Sequence, residues 1–202
     1  VGKWLEKSMK LPKNHGWKAR PGYNVFIADR GAVRFDFPDG WTLTPGEVSA
    51  RLHDKPPPDD DCVLEVSFLR LPPVDLSGLP LTGLVSELVK RERRSLEDDL
   101  RKRDAWTGEM ALRMGSEPEP EIVQVKRPDL ELAWTEYRVP DPVELREAVH
   151  RVCLGRGNRI QVFITFAFWP EHAEKLVPVW EEVLRSLQLG NYFKDLIRRD
   201  IH

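Results

Sequence analysis

"RIQVFITFAF", residues 159–168, is the stretch on which the fold turns. It combines β-branched and aromatic side chains and shows no helical period. Gly155-Arg156-Gly157-Asn158 precedes it and Pro170 follows it, so the run reads as a strand between two breakers. The segment before the turn, 144–154, is open to two readings. Leu145, Val149 and Val152 suit a helix, whereas Val149, Arg151 and Cys153 alternating with Ala148, His150 and Val152 suit a strand. The turn at 155–158 favours the strand, because one long antiparallel hairpin then accounts for both segments.

Working outward, the same period of two recurs. Residues 121–127 and 131–139 read as strands joined at Arg127-Pro128-Asp129. Residues 48–54 and 62–71 read as a hairpin across the stiff acidic link Lys55–Asp61, with Cys62, Leu64, Val66 and Phe68 on one face. Nearer the start, Tyr23, Val25 and Ile27 alternate, then Asp29-Arg30-Gly31 turns the chain into Val33, Phe35 and Phe37. Pro38-Asp39-Gly40 turns it again, and Trp41 and Leu43 resume it.

Two helical patterns interrupt the strands. Leu84, Val85, Leu88, Val89, Leu96 and Leu100 recur at helical spacing among charged residues, predicting a long helix from about Thr82. Ala173, Leu176, Val177, Trp180, Leu184 and Leu187 predict a second helix over about 171–189. Pro178 is expected to kink it, and Gly190 is the natural residue just past its end. Strands joined by short turns make a mostly antiparallel sheet, and helices with one apolar face must cover it. The expected class is therefore α+β, an antiparallel sheet flanked by helices in an α/β/α sandwich. Residues 1–22 are expected to form an arm packing on the body, 23–190 a single domain, and 191–202 an amphipathic tail.

Composition agrees. With 202 residues the chain can bury about 70% of its unfolded surface in one core. With 31 basic against 33 acidic residues, it carries no overall charge to draw it to nucleic acid or an anionic membrane. It has no apolar run of the roughly 18 residues that a spanning helix needs. The N-terminal stretch has no signal-peptide pattern, which favours a cytoplasmic location. Residue 1 is Val rather than Met, so a removed leader stays open. Cys62 and Cys153 are the only cysteines and sit in no metal or redox spacing; two buried thiols or one inter-strand disulfide both fit.

The order of these elements resembles the PsbP-like superfamily. Phe35, Phe37, Pro38, Gly40 and Trp41 carry the resemblance at the front, and Phe163, Phe166, Trp180, Leu184, Ser186 and Leu187 at the back. That superfamily includes the extrinsic subunit of photosystem II, a Ran-binding nucleotide-release factor and bacterial domains of unknown role. The resemblance implies an antiparallel sheet flanked by helices and mostly non-enzymatic, partner-binding roles. It transfers no site residue, because the matching positions describe a turn and a core.

Candidate chemistry is sparse. His15, His53, His150, His172 and His202 form no metal-ligand spacing. Asp59-Asp60-Asp61 lacks the alternation and the glycine of a calcium loop. Gly155–Asn158 precedes a strand rather than opening a helix, so it is no phosphate cradle. The basic run at 90–94 is broken by Glu92 and followed by Glu97-Asp98-Asp99, the pattern of a solvated helix face. No catalytic motif appears, and no metal or cofactor is expected. Seven tryptophans are the unusual feature. Trp41, Trp134 and Trp180 are placed in the core. Trp4, Trp17 and Trp106 lie in weakly patterned segments and, with Tyr192 and Phe193, are the candidate interface anchors. The expected function is a non-enzymatic accessory or protein-binding domain with a protein partner, a second copy of the chain being one candidate. The alternative is a small-ligand binder or enzyme with a pocket between sheet and helices.

Overall fold

The computed structural model describes residues 18–76, 78–102, 119–141 and 143–192. Ten strands and two helices follow one another as β1 (Tyr23–Ala28), β2 (Val33–Pro38), β3 (Thr42–Pro45), β4 (Ala50–His53), β5 (Cys62–Arg70), α1 (Leu81–Lys102), β6 (Ile122–Arg127), β7 (Leu130–Pro140), β8 (Glu147–Gly157), β9 (Ile160–Phe168), α2 (Ala173–Ser186) and β10 (Gln188–Leu189). Seven strands form one sheet in the order β3-β4-β5-β9-β8-β7-β6, and β1-β2-β10 form a second. Every pairing is antiparallel. The α+β class expected from the sequence, a mostly antiparallel sheet flanked by helices, is thus the one present.

Register explains which face is buried. Ala50, Val66, Ile164, Cys153 and Trp134 are partners in one row across the sheet, and Leu52, Leu64 and Phe166 lie in the next row but one along. All belong to one face, and α2 together with the small sheet covers it. Leu176, Val179, Trp180, Val183 and Leu184 are buried along α2 at helical spacing. Trp180 stacks on Phe166 at 6.1 Å and meets the edge of Trp134 at 5.8 Å. On the opposite face Ala133, Tyr137, Val152 and Leu154 alternate with these residues and pack under Leu81, Val85 and Val89 of α1. Helix α1 lies over β6, β7 and β8.

Three details differ from the sequence reading. The β8–β9 turn falls at Asn158-Arg159, with φ of 47° and 60°, so Gly155 and Gly157 belong to the strand. Those glycines are there for room: a Cβ on Gly157 would meet the Asp129 carbonyl oxygen at 2.2 Å, and one on Gly155 would meet Leu132 at 2.8 Å. Helix α2 stops at Ser186, short of Gly190, which follows β10 instead with φ of +66°. The stop comes from another strand. Arg127 of β6 donates from Nη1 to the carbonyls of Arg185 (3.1 Å) and Leu187 (3.3 Å), and from Nη2 to that of Leu184. The last carbonyls of the helix are thereby satisfied by a side chain rather than by a glycine turn. Pro178, where the sequence reading expects a kink, lies inside α2. Both Pro178 and Glu174, whose carbonyl loses its helical donor there, face solvent. Finally, β1 and β2 do not extend the main sheet but form the separate small one.

Cys62 on β5 and Cys153 on β8 are separated by β9, in rows four residues apart. Strand and residue spacings put them about 16 Å apart, beyond any disulfide. Both are buried and free. No described helix is long and apolar enough to cross a membrane.

Candidate functional site

Three places bring polar or reactive groups together, and their geometry ranks them. The first is a cleft at the end of the sheet where β5 and β8 begin. Asp60, Asp61, Cys62, Asp141, His150 and Trp169 are among its lining. Its volume is about 120 Å³, room for one side chain or a few waters. Metabolite sites run to roughly 300–1,000 Å³. The rim carboxylates have partners already: Asp60 with His53 Nδ1 at 2.8 Å, and Asp61 with Lys55 and, at 3.6 Å, His172. Asp141 accepts from the amides of Val143 and Glu144.

At the back of this cleft a polar network ties α1 to the sheet. His150 Nδ1 stands 2.8 Å from Glu92 Oε1, and the Tyr137 hydroxyl donates to Glu92 Oε2. Burial pushes the Glu92 carboxyl up, but the bonds from His150 and Tyr137 outweigh it and hold the group below its usual range. Burial, then the Glu92 charge, raise the Tyr137 phenol. Cys62 shares the cleft lining with His150, yet burial and the Asp54 carboxylate raise its thiol. A catalytic cysteine needs the opposite shift. The network therefore holds protons in place rather than preparing a nucleophile.

The second place is buried. On β2, Arg34 Nη2 pairs with Asp36 at 2.8 Å; on α2, Glu182 pairs with Arg185 and, at 3.3 Å, with Arg20. Ser186 joins the two elements, its Oγ accepting from the Asp36 amide at 2.8 Å while its carbonyl accepts from Arg34. Burial raises the Asp36 carboxyl against the pull of Arg34. This cluster fixes α2 on the small sheet and opens to no described cleft.

The third place is the opposite end of the sheet, where β5 ends and β9 begins. Leu69, Val74, Leu79 and Tyr192 are exposed there by 51%, 57%, 51% and 40%. The contacts around them fix the location. The Leu71 amide donates to the Arg159 carbonyl at 2.8 Å, and Arg156 donates to the carbonyls of Leu76 and Leu79. Arg70 donates to the Tyr192 hydroxyl at 2.8 Å, stands over its ring, and pairs with Asp29. The remaining large exposed aliphatic residues among the described ones are Leu43 on β3 and Val48 just after it, Val123 on β6, and Val143 and Leu145 before β8.

Of the anchors expected from sequence, Tyr192 is at this third place. Trp4, Trp17, Trp106 and Phe193 lie outside the described residues. Trp180 is fully buried as expected, whereas Trp41 and Trp134 are half-buried against the same core. Sequence reasoning missed Leu69, Val74 and Leu79, which read as strand end and loop. The β5–β9 register and the Leu71–Arg159 bond place the end of β5 and the loop after it beside the β8–β9 turn. Among the described residues no group of three or more His, Cys, Asp or Glu side chains is arranged to hold a metal ion.

Comparison with known proteins agrees with the architecture. The sequence model of the family called Alr1449 matches residues 24–105 and 114–193. The uncharacterized protein alr1449 of Nostoc sp. (strain PCC 7120) is 42% identical over 193 residues, spanning 95% of this chain and 90% of that protein. Among solved structures, the cyanobacterial PsbP (CyanoP) of Synechocystis sp. PCC 6803 superposes with a TM-score of 0.52. It is 14% identical, with 87% of this chain and 97% of that one covered, a likeness of fold.

Proposed function

The chain belongs to the Alr1449 family, and from that footing we propose that it is an accessory domain that binds another protein and performs no chemistry of its own. The observation that carries this reading is the gathering of Leu69, Val74, Leu79 and Tyr192, all substantially exposed, at one end of the sheet. Ordering large aliphatic side chains in water yields nothing unless a partner removes them from it. Tyrosine and arginine, which meet there in Tyr192 and Arg70, are the side chains that most often dominate interface energetics. The cleft at the other end supports the same reading by its size, since it suits a single side chain rather than a substrate. Residues 23–190 are taken as the one domain, with 1–22 and 191–202 as extensions of it.

Site-specific photocrosslinking in the source cells tests the proposal. A benzoyl-phenylalanine at position 74 or 192 is expected to give one discrete crosslinked species, and the same probe at the exposed Glu181 of α2 none. Identical patterns at all three positions, or none at any, would remove the reading.

A further inference from the structure

We propose that the partner docks an acidic segment on this end of the sheet, recognised by Arg30 and Arg159; the proposal rests on the protein-binding reading above. Both arginines sit at turn tips, Arg30 between β1 and β2 and Arg159 between β8 and β9. The two turns are neighbours. Arg70 lies between them, paired with Asp29 of the first, while Leu71 donates to the carbonyl of Arg159 in the second. Every other arginine at this end is engaged: Arg70 with Asp29 and Tyr192, Arg156 with Glu131, Gln161 and two loop carbonyls, Arg127 with the end of α2. Arg30 and Arg159 are exposed and have neither an ion pair nor a hydrogen bond from their side chains within the described residues.

Their backbone makes the arrangement informative. Arg30 has φ of 58° and Arg159 of 60°, the left-handed region in which a side chain is disfavoured and glycine is at ease. Asn158-Arg159 is a two-residue hairpin turn with both φ positive, the form for which Asn-Gly is the stable choice. Two neighbouring turns thus each carry a long cation where local stability asks for glycine, and neither cation has a partner within the described residues. Backbone strain retained where a simpler residue would relieve it is a feature of binding sites. Arg30 and Arg159 stand at the end of the sheet where Leu69, Val74, Leu79 and Tyr192 are exposed, so positive charge lies beside apolar side chains. That surface complements a segment with carboxylates spaced around apolar side chains. Asp29 on the first turn and Asp129 on the neighbouring β6–β7 turn are exposed as well, so the positive charge is confined to the two arginines and suits a short segment that meets them better than a broad anionic lipid surface.

The test uses the full chain and a display library of random peptides. Peptides selected on the parent protein are expected to be enriched in Asp and Glu beside Leu, Ile or Phe. The Arg30→Gly/Arg159→Gly variant is expected to bind them roughly tenfold or more weakly, for the loss of two charge contacts. Glycine suits both backbone positions, so this variant melts no lower than the parent and its loss of binding reports recognition. Arg30→Lys/Arg159→Lys restores part of the affinity, and added salt weakens binding to the parent more than to the glycine variant. Acidic peptides that bind parent and glycine variant equally, or selected peptides without acidic enrichment that still need Val74 and Tyr192, would overturn the acidic-segment proposal and leave the protein-binding reading standing. Peptides indifferent to Val74→Ser and Tyr192→Ser would overturn that reading itself. Arginine-dependent sedimentation with phosphatidylserine vesicles, and no selected peptide, would replace the protein segment with a lipid surface.

Discussion

Replacing Arg127 with alanine should destabilise the protein from a position that looks like an ordinary strand end. Arg127 stands on the outermost strand of the large sheet, yet its guanidinium caps α2, which comes nearly sixty residues later, through the carbonyls of Leu184, Arg185 and Leu187. An intramolecular hydrogen bond is worth about 1 kcal/mol net. Here two of the three share Nη1, which trims the total, and the cation's position at a helix C-terminus returns about 0.5 kcal/mol. Arg127→Ala should therefore cost about 2–3 kcal/mol. For a chain of this size that lowers Tm by roughly 6–9 °C, as read by thermal unfolding followed by circular dichroism. Arg127→Lys keeps the charge but loses the planar fork, so it should recover only about half of the loss. Hydrogen exchange supplies a local readout: the amides of Leu187 to Gly190 should exchange faster in Arg127→Ala, while those of β9 in the sheet centre keep their relative order. The cap would be refuted if Arg127→Ala melted within about a degree of the parent, or if lysine matched arginine.

Further outcomes follow from the same structure. Glu92→Gln should cost about 1 kcal/mol at neutral pH, a modest figure because the carboxylate is 36% exposed and partly screened. The folded state holds this carboxyl below its ordinary range, so its contribution is full above the unfolded value and is lost as pH falls through the lower folded one. Urea titrations of parent and variant should therefore converge below about pH 4; a gap of constant size from neutral pH down to pH 3 would contradict the assignment. Gly157→Ala should cost about 3 kcal/mol, because its methyl would lie 2.2 Å from the backbone oxygen of Asp129. Gly40→Ala, with nothing within 4 Å, should instead gain about 0.5 kcal/mol; equal melting of the two variants would show that the crowding is not there. Burial raises both cysteine thiols, so neither should react with a disulfide reagent at mildly alkaline pH until guanidinium chloride unfolds the chain. Rapid labelling of native protein would show that one of them is accessible.

How far the sequence could be read depends on the range of the interactions concerned. Strands β5 and β9 and helix α1 were legible because their alternating or helical apolar pattern is local, and a slip of one residue would turn every buried side chain toward water; β8 fitted two patterns and was decided only by the turn that follows it. The end of α2 was not legible. Gly190 carried the local signal for a helix stop, but the carbonyls are satisfied from β6, and a cap reaching across that separation leaves no mark at the helix itself.

The candidate site was the least legible part, for a related reason. Tyr192 could be named from its tail, whereas Leu69 looked like any other apolar residue of β5, and Val74 and Leu79 like loop residues beside prolines. What places them at one end of the sheet is the β5–β9 register, which brings the end of one strand beside the turn that starts the other. Arg30 and Arg159 carried the only local clue, an arginine where a turn calls for glycine, in Asp-Arg-Gly and in Asn-Arg. Local stability is the rule these two positions break. A rule broken at two adjacent turns, where neither cation has a partner within the described residues, is what the proposed contact with another protein would explain. A buried network such as Glu92–His150–Tyr137 gives no such indication, because every group in it already has its partner. That contrast is why the functional reading rests on the exposed sheet end and not on the histidine beside the cleft.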